Sequence, residues 1–114
     1  NDSLTGLPGI QLPLAQTEYA ENIYWVYGLL LTDNSDEFDA EKAMNQLAKL
    51  GVGCRPFFHP MHQQPILREL GLFEGESYPV AEHLCLRGFY VPSGMALTEY
   101  QVTRVIESLN SVFY

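Results

Sequence analysis

Positive charge is scarce in this chain: six lysines and arginines stand against 14 acidic side chains, for a formal net charge of -8. The six cations are scattered, so no basic stripe exists to neutralise phosphates, and neither nucleic acid nor an anionic membrane surface is an expected partner. Long apolar runs are missing too. The longest mostly apolar stretch, IYWVYGLLL at 23–31, has nine residues, far short of the ~20 that a membrane-crossing helix needs, so no membrane span is expected. Cysteine is limited to Cys54 and Cys85. Both lie inside apolar runs with no signal peptide ahead of them, which reads as reduced, buried thiols in a cytoplasmic protein. The start, NDSLTG, has no Met and reads as a processed start or a piece of something longer. On the cytoplasmic reading, Asn1-Asp2-Ser3 matches the glycosylation triplet by chance.

What is present suits one globular domain. A chain of 114 residues that is 46% apolar and 18% charged can bury roughly 65% of its unfolded surface, enough for a core. Gly6, Pro8, Gly9 and Pro13 interrupt residues 1–21, which read as an extended lead-in that needs something to lie against. NIYWVYGLLLT, 22–32, is dense in aromatic and aliphatic groups and ends at the polar cluster DNSDE, so it reads as a buried strand, with Gly28 marking a bulge or a close backbone approach. Asp39 can cap a helix whose apolar positions Ala43, Met44, Leu47 and Leu50 follow the 3.6 period and which Gly51 stops.

VGCRPFF, 52–58, reads as a second strand that Pro56 confines to an edge or an end. Residues 59–82 read as irregular, with at most one short helix near 64–70, and HLCLRGFYV, 83–91, as a third strand. Thr98 and Gln101 form a capping box for a final helix with Val102, Val105, Ile106 and Leu109 on one face. The expected fold is α/β of the α+β kind, a three-stranded antiparallel sheet in order 1-3-2 with two helices on one face. The first strand is apolar on both sides, which implies that its second face meets the lead-in and another domain or subunit.

The stretch RPFFHPMHQQP, 55–65, carries the densest chemistry. Pro60 between His59 and His62 forbids a regular helix, and a strand would point the two rings apart, so a metal pair is not expected unless a loop converges them with Glu82 or His83. Two readings remain: one histidine packed and one solvated, or a ligand-contacting loop stiffened by Pro56, Pro60 and Pro65. Arg55 and Arg87, each in an apolar run, need a carboxylate, a carbonyl or a ligand phosphate. Glu82 reads as a cap or a salt-bridge partner. No Gly-x-Ser-x-Gly elbow and no phosphate loop is present, since at Gly51-Val52-Gly53 the helix precedes the glycines.

Taken in order, NIYWVYGLLL, LGVGCRPFFHPMHQQP and GLFEGESYPVAEHLCLRGFYVPSGMALTEYQVTRVIESL resemble the C-terminal part of the DegT/StrS-type sugar-nucleotide aminotransferases, most of all the GDP-perosamine synthase branch. The resemblance implies the small C-terminal domain of the type I pyridoxal-phosphate aminotransferase fold. Residues 1–21 would then be a lead-in from a missing large domain, and 22–114 a domain that closes over substrate. It implies pyridoxal 5'-phosphate bound by the large domain and not by this chain, with glutamate and a nucleotide-linked 4-keto-6-deoxy sugar as reactants and a homodimer as the assembly. The only lysines, Lys42 and Lys49, lie on the first helix, so the chain alone is expected to be inactive. The family's Pro-x-His loop, matched by Pro60-Met61-His62, implies His62 as the first substrate contact, with Arg55, His59 and Gln63 behind it. The alternative is a free-standing α/β module that binds a ligand or protein without catalysis.

Overall fold

The computed structural model describes residues 2–33 and 37–114. Its strands are β1 (Ile10–Gln11), β2 (Tyr27–Leu31), β3 (Arg55–Pro56) and β4 (Gly88–Val91). Its helices are α1 (Ala40–Lys49), α2 (Pro65–Glu69), α3 (Pro79–Arg87) and α4 (Glu99–Phe113), with 3-10 turns at Asp2–Leu4 and Met61–Gln63. The strands form one antiparallel sheet in the order β1-β2-β4-β3. The sheet therefore has four strands rather than three. The fourth comes from the lead-in, where Ile10 pairs with Leu31 and the Thr32 amide donates to the Gly9 carbonyl at 2.9 Å. Inside that frame, the three strands expected from the sequence run in the inferred order, with the last inserted between the other two.

The period-2 alternation of strands decides where the core sits. Leu29 pairs with Phe89 and both are fully buried; Leu31 and Val91 lie on the same face. Against them pack Ala43 and Leu47 of α1 and Leu109 of α4. Leu4 and Leu7 join this core, so the lead-in is tied into the body rather than trailing from it. Both helices start as their sequences direct. The Asp39 carboxylate accepts from the Lys42 amide at 2.9 Å, and Thr98 and Gln101 make a reciprocal capping box.

Three boundaries differ from the sequence reading. The strand expected over 22–32 begins only at Tyr27, because residues 15–22 fold back as a small hairpin, with the Asn22 amide on the Ala15 carbonyl. Tyr24 then turns into the left-handed region at φ 50, its amide held by the Asn22 side chain at 2.7 Å. The second strand shrinks to Arg55–Pro56, and it is an edge strand, where a proline is tolerated. The strand expected over 83–91 is a helix up to Arg87 and a strand only from Gly88. Of the polar cluster DNSDE, residues 34–36 fall outside the described residues, as does Asn1 of the glycosylation triplet.

Gly88 makes this direct passage from helix to strand possible. A Cβ there would lie 2.4 Å from the Phe57 ring and 2.6 Å from the Leu84 carbonyl oxygen, so only glycine fits. Gly28, on the neighbouring strand, faces the same ring at 3.1 Å, which is the close approach its position in the strand implied. Phe57 also stacks on Tyr90, ring centres 4.6 Å apart, and so fixes the start of the loop that follows.

Candidate functional site

Residues 57–64 leave β3 as a short, heavily cross-linked turn. The Gln63 amide donates to the Pro60 carbonyl and the Gln64 amide to that of Met61, which closes the 3-10 turn. The Gln64 side chain donates to the His59 carbonyl at 3.1 Å, and Arg68 Nε of α2 donates to the His62 carbonyl at 3.1 Å. Prolines flank the turn and set φ in advance, so little backbone freedom is left.

At its centre the His62 ring is buried, only 4% exposed, with Nε2 2.7 Å from Glu82 Oε1. The same oxygen accepts from the Tyr78 amide at 3.0 Å and the Ser77 hydroxyl at 3.2 Å. The Tyr78 amide bond, then the His62 bond, hold the Glu82 carboxyl below the usual carboxylate range. An ionised carboxylate only accepts, so His62 Nε2 carries a proton toward Glu82, and in the neutral form of the ring the lone pair is on Nδ1. Tyr78 flanks the ring, centroids 5.0 Å apart, and its hydroxyl donates to Glu76.

His59 is exposed, its Nε2 donating to the Gln63 carbonyl at 3.2 Å and its Nδ1 lying 3.9 Å from Cys85 Sγ. Gln63 lines a cleft of about 510 Å3 between α1 and α3, whose walls include Asp39, Glu41 and Glu82. Three carboxylates there repel a phosphate, so this cleft does not suit the charged end of a nucleotide. Arg55 is exposed on β3, and among the described residues no ion pair holds its guanidinium. Arg87, by contrast, is buried and donates to the Phe38 carbonyl at 2.7 Å, the structural use open to it from the sequence.

Other chemistry fares worse. Burial pushes the Cys54 thiol up to about 11, so it holds no thiolate at neutral pH. Among the described residues no group of three metal-binding side chains converges. Lys42 and Lys49 are both exposed on α1, with the Lys42 ammonium on the Glu37 carbonyl at 2.7 Å. Neither sits in the desolvated surroundings that imine chemistry requires.

Sequence reasoning left the node around Glu82 out of the site. Its signal was there: Pro79 at the first helical position with an acid in the first turn marks a helix start, and that start brings Ser77, Tyr78 and Glu82 to His62.

Away from the turn, an apolar groove of about 830 Å3 is lined by Ile23, Trp25, Tyr27, Met95, Val102 and Val105, among others. Ile23 is 87% exposed and Trp25 76%. Among the described residues no helix is long and apolar enough to cross a membrane.

A profile of the DegT/DnrJ/EryC1/StrS aminotransferase family matches residues 1–110. GDP-perosamine synthase of Escherichia coli O157:H7 is 33% identical over 90 residues, 79% of this chain and 23% of that protein. The enzyme of the same name from Caulobacter vibrioides is 30% identical over 91 residues, 80% of this chain and 24% of that protein. The chain spans about a quarter of the length of these curated relatives. The fold is shared with Spr1654 from Streptococcus pneumoniae, assigned as a sugar aminotransferase and solved in a PLP form. That match has a TM-score of 0.83 at 22% identity, over 97% of this chain and 28% of that one. Helicobacter pylori PseC, an aminotransferase involved in the biosynthesis of pseudoaminic acid, gives 0.81 at 16% identity, over 98% and 29%.

Proposed function

The chain belongs to the DegT/DnrJ/EryC1/StrS aminotransferase family, and we propose that it is the small C-terminal domain of a pyridoxal-phosphate-dependent enzyme that aminates a nucleotide-linked 4-keto-6-deoxy sugar, as in the GDP-perosamine synthases it resembles. The cofactor, which supplies the electron sink for amino transfer, is assigned to the rest of the protein, together with the lysine that binds it. On this reading residues 1–21 lead in from the large domain while packing into the body through Leu4, Leu7 and β1, and 22–114 close over the substrate. The span of about a quarter of the relatives' length supports it, and so does the exposure of Ile23 and Trp25, an apolar face of the kind that meets another domain or subunit.

The observation that carries the reading is the rigid turn at 59–63, which presents polar groups without having to order itself first. His59 and Gln63 are placed to hydrogen-bond sugar hydroxyls, and Arg55 to pair with a phosphate or carboxylate. With its Nε2–H committed to Glu82 and its ring 4% exposed, His62 is left only Nδ1 with which to reach a sugar hydroxyl. The cross-links keep these groups in place.

The test is an amino-transfer assay on the protein that carries these residues, with an amino donor and GDP-4-keto-6-deoxymannose. Amination, with the sugar KM raised about three- to tenfold by His59→Ala or Gln63→Ala, is the expected result. No amination of any nucleotide-linked keto sugar would overturn the reading in favour of a non-catalytic binding module.

A further inference from the structure

We propose that Glu82 is the positioning residue of this turn: it sets the tautomer of the buried His62 ring and, through it, the placement of the substrate-facing groups His59 and Gln63. The inference rests on the functional reading above. It starts from how differently the two sides of the turn are held. On the β3 side, Phe57 is clamped over Gly28 and Gly88 by packing. On the far side, the His62 ring is buried and its Nε2–H lies on a carboxylate carried by another element, 20 residues away in sequence.

One oxygen, Glu82 Oε1, gathers the imidazole of the turn together with the backbone amide and hydroxyl that open α3. The turn and the start of α3 are therefore joined at a single atom. Arg68 fixes the His62 carbonyl from α2, so the ring and the backbone of His62 are held from different elements. Without Glu82 the buried Nε2–H has no acceptor, and either the tautomer reverses or the ring leaves its site. The first exchanges the acceptor at Nδ1 for a donor; the second moves His59 and Gln63, which belong to the same turn. Glu82 need not touch the substrate.

Two readouts test this. In the ligand-free protein, the imidazole 15N shifts of His62 report the tautomer. In the full-length enzyme, KM for the nucleotide sugar is compared with KM for the amino donor. Glu82→Ala is expected to lose the single Nε2–H tautomer and to raise the sugar KM about tenfold, with the donor KM unchanged. Glu82→Gln, whose amide oxygen still accepts but without charge, restores the tautomer in part and is expected to raise the sugar KM about threefold. Should Glu82→Ala fail to fold, Ser77→Ala, which removes one donor from the same oxygen, is expected to give the smaller effect of the glutamine variant. The proposal is overturned by an unchanged tautomer, by a changed tautomer with an unchanged sugar KM, or by equal rises in both KM values. Failure of the functional reading looks different: no amination in the wild type, or His59→Ala and Gln63→Ala both without effect on the sugar KM.

Discussion

His62 Nε2 and Glu82 Oε1 lie 2.7 Å apart, joining a proline-stiffened turn to the first turn of a helix. The histidine is buried and the carboxyl is about one-third exposed, so the bond sits at the wall of the site with one partner shielded and the other open to water. Removing the shielded partner should cost stability. His62→Ala deletes a buried ring and leaves Tyr78 and the Glu82 carboxylate without their partner, while the Arg68 bond to the backbone carbonyl survives, and a loss of about 1–3 kcal/mol is expected in denaturant titration.

Acid should loosen this node. The Glu82 carboxyl is held below its ordinary value by the Tyr78 amide and by His62, with Ser77, Glu76 and Arg68 also around the turn. A depressed carboxylate contributes stability that is complete above its unfolded value and is lost as the pH falls through the folded one. Denaturant midpoints measured from neutral pH downward should therefore fall further for the wild type than for Glu82→Gln. Parallel curves would contradict the node's contribution.

Gly88→Ala should destabilise by about 1–3 kcal/mol, because the new methyl meets both the Phe57 ring and a backbone carbonyl that cannot step aside. Gly53→Ala is the matched control. Nothing lies within 4 Å of a Cβ there, so a neutral effect or a gain of up to about 1 kcal/mol is expected. Thermal melts of the two variants side by side decide the matter.

Thr98→Ala removes one half of the capping box of α4 and should cost about 1 kcal/mol. Thr98→Ser, which keeps the hydroxyl acceptor, should recover most of it.

The groove around Trp25 predicts that the isolated chain associates. Sedimentation at rising concentration should show dimers or larger species together with binding of an apolar dye, and Trp25→Glu should reduce both. A clean monomer without dye binding would remove the apolar face as support for a covering domain.

The helices α1 and α4 were legible because their signals are local: Asp39 and Gly51 bracket one, and the Thr98–Gln101 box opens the other. The order β2-β4-β3 followed from connectivity. β1 was not legible, since the two residues Ile10 and Gln11 carry no period, and their pairing with Leu31 and Leu30 is decided in tertiary space. The 83–91 stretch misled for a related reason. Leu84, Cys85 and Leu86 read as strand by composition, while Pro79 and Glu82 just ahead start a helix that runs until Gly88 ends it. At the site, the turn and its residues were visible in RPFFHPMHQQP, as were the reading of one histidine packed and one solvated and that of Glu82 as a salt-bridge partner; which histidine is packed was not, because it depends on Glu82 arriving from α3.

The central claim, a preformed substrate-side turn, is tested most directly by NMR titration of this chain with GDP-perosamine and, separately, with pyridoxal phosphate. The account predicts shifts confined to Arg55, His59, His62, Gln63 and their neighbours with the sugar nucleotide, and none with pyridoxal phosphate. Shifts in the apolar groove around Trp25 instead, or a response to pyridoxal phosphate alone, would contradict it.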